Sequence, residues 1–310
     1  MNRHVIVTDI ASLPTRTGSH GRTRDLRSKG FPFECGVPGV DMEFTWVYVP
    51  EGYATPRHRH CFDQLRYVVD GEFGVGKGFE IEAGQVAYFP EGVHYGPQHQ
   101  DAGCTTLILQ FPGPTLTPYL THAALHQAQR ELEAEGGKFE AGIYTKILAD
   151  GRKINMDSHK ACWEHITGTE EVFPGGRFRQ PIVMLPEHCA WIPDRRIDGV
   201  EHKHLGTFAE MRTGVSLLRL APGARMPSVR QEDAEIRYML DGSVRYDGKT
   251  WRGGAAEDQG TYFYLPHDHD VGEFATDTGA LFYCISLPMI AEADLKLKRE
   301  GERAGTQKVA

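Results

Sequence analysis

The chain has 310 residues, enough for one large or two ordinary domains. Its 40% hydrophobic, 10% aromatic and 25% charged residues fit a globular protein with a full core. A formal net charge of −8, from 34 basic and 42 acidic side chains, argues against a general nucleic-acid binder, which needs a basic face.

Residues 1–29 read as an N-terminal extension. The opening MNRHVIVTDIASLPTRT lacks the apolar stretch of a signal peptide. No apolar run anywhere approaches the roughly 18 residues that span a bilayer. The six scattered cysteines (Cys35, Cys61, Cys104, Cys162, Cys189, Cys284) form no C-x-x-C pair and read as reduced thiols, so a cytoplasmic protein is expected. From about residue 30 the chain turns to short runs of β-branched and aromatic residues broken by Gly, Pro and Asp: MEFTWVYV, QLRYVVDGEFGVG, GQVAYFP, TTLILQF. Thr121 to Glu135, rich in Ala, Leu, Gln and Glu and stopped by Gly136-Gly137, predicts a helix. After an irregular linker the β pattern returns in VSLLRLAPG, EIRYMLDGSVRY, GTYFYLP and ALFYCISLP. A weaker helical segment spans Ile290 to Arg303 before a polar tail.

The two β-rich halves repeat one another. Tyr48 to Gly52 (YVPEG) precedes QLRYVVDGEF as Leu220 to Gly223 (LAPG) precedes EIRYMLDGSV, and Gly52 to Gly71 spans the same distance as Gly223 to Gly242. Likewise Gly84 to Pro90 matches Gly260 to Pro266. Two copies of one β-unit joined by a helix and a linker account for the pattern better than one large sheet.

One motif carries chemistry. After Gly52 come His58-Arg59-His60, then Gln64, then Gly71; after Gly84 come Pro90, Gly92 and His94. Residues two apart in a strand share a face, so His58 and His60 project together, with Gln64 further along the run and His94 reaching in from a partner strand. Imidazole suits Fe, Ni, Cu and Zn, whereas an amide oxygen is a weak, neutral ligand. A site of two or three histidines keeps positions open for water or substrate.

This glycine, His-x-His and Pro-x-Gly frame resembles the two motifs of the cupins, and both halves of the chain share it. The resemblance implies an all-β fold of two tandem cupin barrels (double-stranded β-helix or jelly-roll) with a short helical linker. The barrels are expected at 30–115 and 195–290, with a helix and linker at 116–194 and a C-terminal helix and tail at 291–310. It also implies one divalent metal ion per chain, held by His58, His60, His94 and Gln64, and a homodimer. Gln64 stands where cupins carry Glu, and His94 comes one residue early, with Tyr95 at the expected place. Either a bulge turns His94 inward, or Gln98 or Tyr95 fills that corner.

HRHCFDQLRYVVDG is also locally similar to the gentisate- and salicylate-type ring-cleaving dioxygenases, whose all-histidine iron sites lack the glutamate and carry an arginine where Arg66 stands. That implies Fe(II), with Ni, Mn or Zn as alternatives, and a role for Arg66 in binding a substrate carboxylate by a bidentate pair. In the second half Val229 and Gln231 replace the paired histidines, although Glu235 keeps the acid, so this barrel is expected to be structural. His267 and His269 read as a solvated turn, Glu201-His202-Lys203-His204 as a polar strand or turn, and Cys162-Trp163-Glu164-His165 as linker packing. The sharpest expectation is a metal-dependent enzyme acting on a small anionic organic molecule, a dioxygenase in its most specific form, with Gln64 and Arg66 beside the metal. The alternatives are an isomerase, lyase or decarboxylase at the same site, or a non-catalytic binding or storage protein. No nucleic-acid or membrane partner is expected.

Overall fold

The computed structural model describes residues 4–19, 23–35, 37, 41–115, 117–140, 142–208 and 211–307. The principal strands, in chain order, are β1 (Ile6–Asp9), β2 (Arg16–Ser19), β3 (Thr23–Gly30), β4 (Glu43–Val49), β5 (Asp63–Asp70), β6 (Val86–Phe89) and β7 (Cys104–Phe111). Two helices follow, α1 (His122–Ala134) and α2 (Ser158–Thr167), then β8 (Val200–Phe208), β9 (Thr213–Leu220), β10 (Ala234–Tyr246), β11 (Thr261–Leu265), β12 (Ala280–Leu287) and α3 (Pro288–Gln307). No described helix is long and apolar enough to cross a membrane.

The chain divides into two compact units, one of residues 14–30 and 41–183, the other of 1–13, 31–40 and 184–310. In the first the strand order is β6-β5-β7-β4-β3-β2, and in the second β1-β11-β10-β12-β9-β8. Both sheets pair antiparallel, and their registers correspond: Gln64 lies opposite Phe89 and Gln110 as Glu235 lies opposite Leu265 and Ser286. The repeat seen in the sequence is thus a repeat of strand order and register. Each copy turns on a glycine that no other residue can replace. Gly71 (φ 77°) and Gly242 (φ 78°) lie in the left-handed region, and a Cβ on either would run into the neighbouring backbone.

The first unit buries Val47, Val68, Phe73, Ile81 and Phe89 in its core, each worth roughly 1.5–3 kcal/mol of hydrophobic stabilisation. The second buries an aromatic cluster in which Phe274 packs against Tyr246, Phe263 and Phe282, with centroid separations of 4.6, 5.2 and 6.3 Å. All six cysteines are free, and only Cys189 is not fully buried.

Two boundaries differ from those read in the sequence. Residues 1–29 are not an appendage, because β1 pairs with β11 while β2 and β3 extend the sheet through β4. Their backbone groups find partners in sheets rather than in water. Residues 116–183 fold with the first unit and are not a bare linker. The predicted helix forms as α1, with the Thr121 hydroxyl accepting from the Ala124 N–H at its N-terminus. The Cys162–His165 segment lies in a second helix, α2, capped by Asp157 and ended by Gly168 in the left-handed conformation. Cys162 packs with Leu125, Leu132 and Tyr144, and His165 meets Glu131 at 2.8 Å, so the two helices hold each other. The residues beyond Gln307 that end the expected tail lie outside the described residues.

Candidate metal and anion site

The inward face of the first sheet follows from alternation. Gln64 and Arg66 on β5, Ile108 and Gln110 on β7, Thr45 and Val47 on β4, and Leu26 and Ser28 on β3 all line one cavity of about 340 Å³. His58, His60, Tyr95 and Gln98 form its mouth on the barrel side. Tyr119, His122, His126, His159 and Phe173 cover it from the helical segment. Six of the fifteen histidines of the chain line this one space.

His58 and His60 come together as the sequence implies, with ring centroids 5.2 Å apart. The carbonyl of Pro56 lies 2.8 Å from His58 Nδ1. A carbonyl only accepts, so Nδ1 carries a proton, and the neutral form of the ring is then the tautomer that a metal-ligating imidazole needs. His60 stacks on Phe62 at 4.4 Å, and its Nε2 lies 3.2 Å from the Tyr95 hydroxyl.

Tyr95 shares the face of His58, while His94 lines the same cavity from its rim. His58 and Tyr95 exchange both backbone hydrogen bonds at 3.0 Å, an antiparallel bridge with no bulge, and residues directly opposite in such a pair point to the same face. Tyr95 is accordingly buried beside the two half-buried histidines, ring centroids 4.4 and 5.6 Å away, while its neighbour His94 is exposed at the rim of the cavity. Gln98 is buried but engaged, accepting from the Thr55 hydroxyl at 2.8 Å and donating to the Gly74 carbonyl at 3.3 Å. Among the described residues no three His, Cys, Asp or Glu side chains gather into a metal cluster. What converges is two imidazoles, a phenol and the Gln64 amide, a set with nitrogen for a borderline divalent ion but no anionic oxygen.

Arg66 is buried, and its guanidinium lies 3.8 Å above the Phe73 ring. It makes no hydrogen bond or ion pair with any described residue, and its Nε is sealed from solvent. Burial pulls its pKa down, because a charge removed from water is disfavoured. In the second unit the equivalent Arg237 donates to Glu235 at 2.9 and 3.1 Å, a fork-on-carboxylate pair. Glu235 is held below the usual carboxylate range: burial alone would raise it, but Arg237 outweighs that. Arg66 faces Gln64 in place of an acid.

Several residues of the site carry no signal in the sequence. Burial works against the charged form of Glu43, yet its hydrogen bonds with His122 bring it down to about 2. It accepts from His122 Nδ1 at 2.6 Å and from the His122 main-chain N–H at 2.9 Å, at the positive end of α1. The buried Cys61 thiol lies against Glu171 at 3.5 Å, and burial with that neighbouring carboxylate pushes its pKa up, so it is not a nucleophile. In the second unit His267 is not a solvated residue: it is 3% exposed and paired with Asp294 of α3 at 3.1 Å. His202 and His204 pair separately with Asp194 (3.5 Å) and Thr207 (3.3 Å).

Residues 179–289 match the family model of the ChrR cupin-like domain. Over the whole chain the fold is similar to that of a "putative dioxygenase" from Nostoc punctiforme, with a TM-score of 0.63 and 14% identity, covering 94% of this chain and 85% of that one. The oxalate decarboxylase of Bacillus subtilis is also similar, with a TM-score of 0.49 and 14% identity, covering 91% of this chain and 76% of that one. No curated protein sequence matches the chain. In fold the chain is a bicupin, two all-β cupin barrels in tandem, and at this identity the likeness concerns the fold alone.

Proposed function

We propose that the first barrel binds a small organic carboxylate on Arg66 and acts on it beside one divalent metal ion held by His58 and His60. The observation that carries this reading is the buried guanidinium of Arg66, which lines the cavity without a counter-ion among the described residues. An uncompensated buried charge costs several kcal/mol, and a ligand carboxylate in a bidentate pair is the group that offsets it. The residues fit a metal ion in part: His58 has the tautomer for it, and His60, Tyr95 and Gln64 stand round the same space. When bound, the ion would supply a Lewis acid that polarises the substrate and orients it. His58 and His60 would hold it, Arg66 would fix the carboxylate, and the helical cover with Phe62 and Phe173 would keep water away. The Fe(II) dioxygenase is the sharpest form of this reading. Zn, Mn or Ni at the same residues would serve an isomerase, lyase or decarboxylase.

A second reading has its own support. With His94 exposed at the rim and Gln64 neutral, the ligand set is poorer than three inward histidines, which favours a binding protein that uses Arg66 without turnover. Metal content by elemental mass spectrometry and carboxylate affinity by calorimetry separate the two. The enzyme reading expects near one metal ion per chain, lost in His58→Ala, and affinity for benzoate or salicylate at least tenfold weaker in Arg66→Gln. Carboxylate binding without metal would leave the binding protein, and unchanged affinity in Arg66→Gln would remove both.

A further inference from the structure

Gln64, Gln110 and Glu43 are cross-strand neighbours in one row across β5, β7 and β4. Tyr119, from the segment before α1, closes the row. Its hydroxyl stands 3.0 Å from Glu43 Oε2 and 3.1 Å from the Gln110 amide, whose other end stands 3.3 Å from the Gln64 amide. As placed, Gln110 turns its oxygen to Tyr119 and its nitrogen to Gln64, and the Gln64 nitrogen has no partner.

Counting protons gives a different polarity. A tyrosine hydroxyl has one proton and here faces two acceptors, so one of the two contacts fails as drawn. Glu43 cannot yield, because the same oxygen already takes the main-chain N–H of His122, which can only donate, while Arg16 Nη1 lies 3.5 Å from the other oxygen. The Tyr119 proton therefore belongs to Glu43, and the Gln110 group facing Tyr119 must be its NH2. A half-turn of an amide exchanges oxygen and nitrogen in place. The Gln110 oxygen then faces Gln64, which must answer with its own NH2.

We infer that Glu43, through Tyr119 and Gln110, fixes the Gln64 amide with its carbonyl oxygen at the buried, unpartnered end, as a neutral oxygen donor for a cation held with His58 and His60. Glu43 is thus a positioning residue for a ligand three side chains away. The inference deepens the metal reading of the first barrel and rests on it for the identity of the cation, but the polarity itself does not. It also gives the Glu-to-Gln replacement at position 64 a use: an amide can be turned to present either a donor or an acceptor, and this row selects the acceptor.

Neutron diffraction from deuterated crystals of the full chain reads the polarity directly. The expected map has the ND2 of Gln110 against Tyr119 and the Gln64 oxygen turned away from Gln110. A Gln110 oxygen accepting the Tyr119 deuteron would overturn the inference. Titration with Co(II), followed by its visible absorption, tests the consequence. Glu43→Gln is expected to weaken Co(II) about tenfold when Gln64 is present, as loss of an orienting group does, and to have no effect in a Gln64→Ala background. Tyr119→Phe should behave in the same way and serves if Glu43→Gln folds poorly. Equal losses in both backgrounds would mean a structural role only and would overturn the proposal. A wild-type protein that takes no Co(II) but shows the expected neutron map would sink the metal reading and leave the polarity standing.

Discussion

The two barrels answer one question, how to bury an arginine on the inner face of the central strand, in opposite ways. In the second barrel Arg237 is matched two residues earlier by Glu235, and the pair is self-neutralising. Phe274 lies 5.3 Å from the guanidinium, and Glu235 lines a cavity of about 380 Å³ together with His204, Gly214 and Ser286. In the first barrel the matching residue is Gln64, the cation has no carboxylate partner among the described residues, and it lines a cavity. The row across the sheet differs as well. Gln64, Gln110 and Glu43 correspond by register to Glu235, Ser286 and Gly214, so the second barrel has nothing from which to build a relay. One carboxylate exchanged for an amide separates a barrel whose arginine is matched from one whose arginine is not.

Breaking the closed barrel should give the largest effect. Glu235→Gln leaves Arg237 buried and unmatched, and the second barrel should lose about 3–5 kcal/mol in urea unfolding followed by tryptophan fluorescence. A loss below about 1 kcal/mol would mean that the pair is not what neutralises this interior. A smaller effect concerns Glu43. Its pKa in the folded chain, about 2, lies below its ordinary value of 4.5, so its contribution is present above pH 4.5 and is lost as pH falls through 2. The difference corresponds to roughly 3 kcal/mol, and Glu43→Gln should flatten the acid limb of the unfolding free energy by about that amount. An acid limb identical in the variant would place the titration elsewhere. The smallest effect is expected at His94. Because it is exposed at the rim, His94→Ala should change stability by less than about 0.5 kcal/mol and leave metal content unaltered, whereas loss of metal would return it to the ligand set.

Much of this was legible in the sequence, and the rest had definite reasons not to be. Glycines at fixed separations, with the matching QLRYVVDG and EIRYMLDG runs, give two copies of one unit because those positions need φ above zero in any sequence with this turn. The pairing of His58 with His60 follows from strand alternation alone. The facing of His94 does not, since it depends on whether a bulge intervenes between the Pro-Gly turn and the strand, and both registers are open to the same residues. The cover of the cavity was missed because α2 is short and mixed in polarity. Its legible signals were only Asp157 at one end and Gly168 at the other. Glu43, Gln110 and Tyr119 are far apart in sequence and become one row only through antiparallel register, which no local pattern encodes. Arg66 could be placed on the cavity face from the strand period, but its lack of a partner could be seen only once all its neighbours were in place.

The central claim is that the first barrel receives an anion because its arginine is unmatched. Changing Gln64 to Glu builds into it the pair that closes the second barrel. Isothermal titration of benzoate, salicylate and succinate into wild type and Gln64→Glu tests this most directly. The account predicts that at least one of them binds the wild type with a Kd below about 1 mM, and that Gln64→Glu weakens it tenfold or more while raising the melting temperature. Equal affinity in the two proteins would contradict it, because Arg66 would then not be the group that holds the ligand.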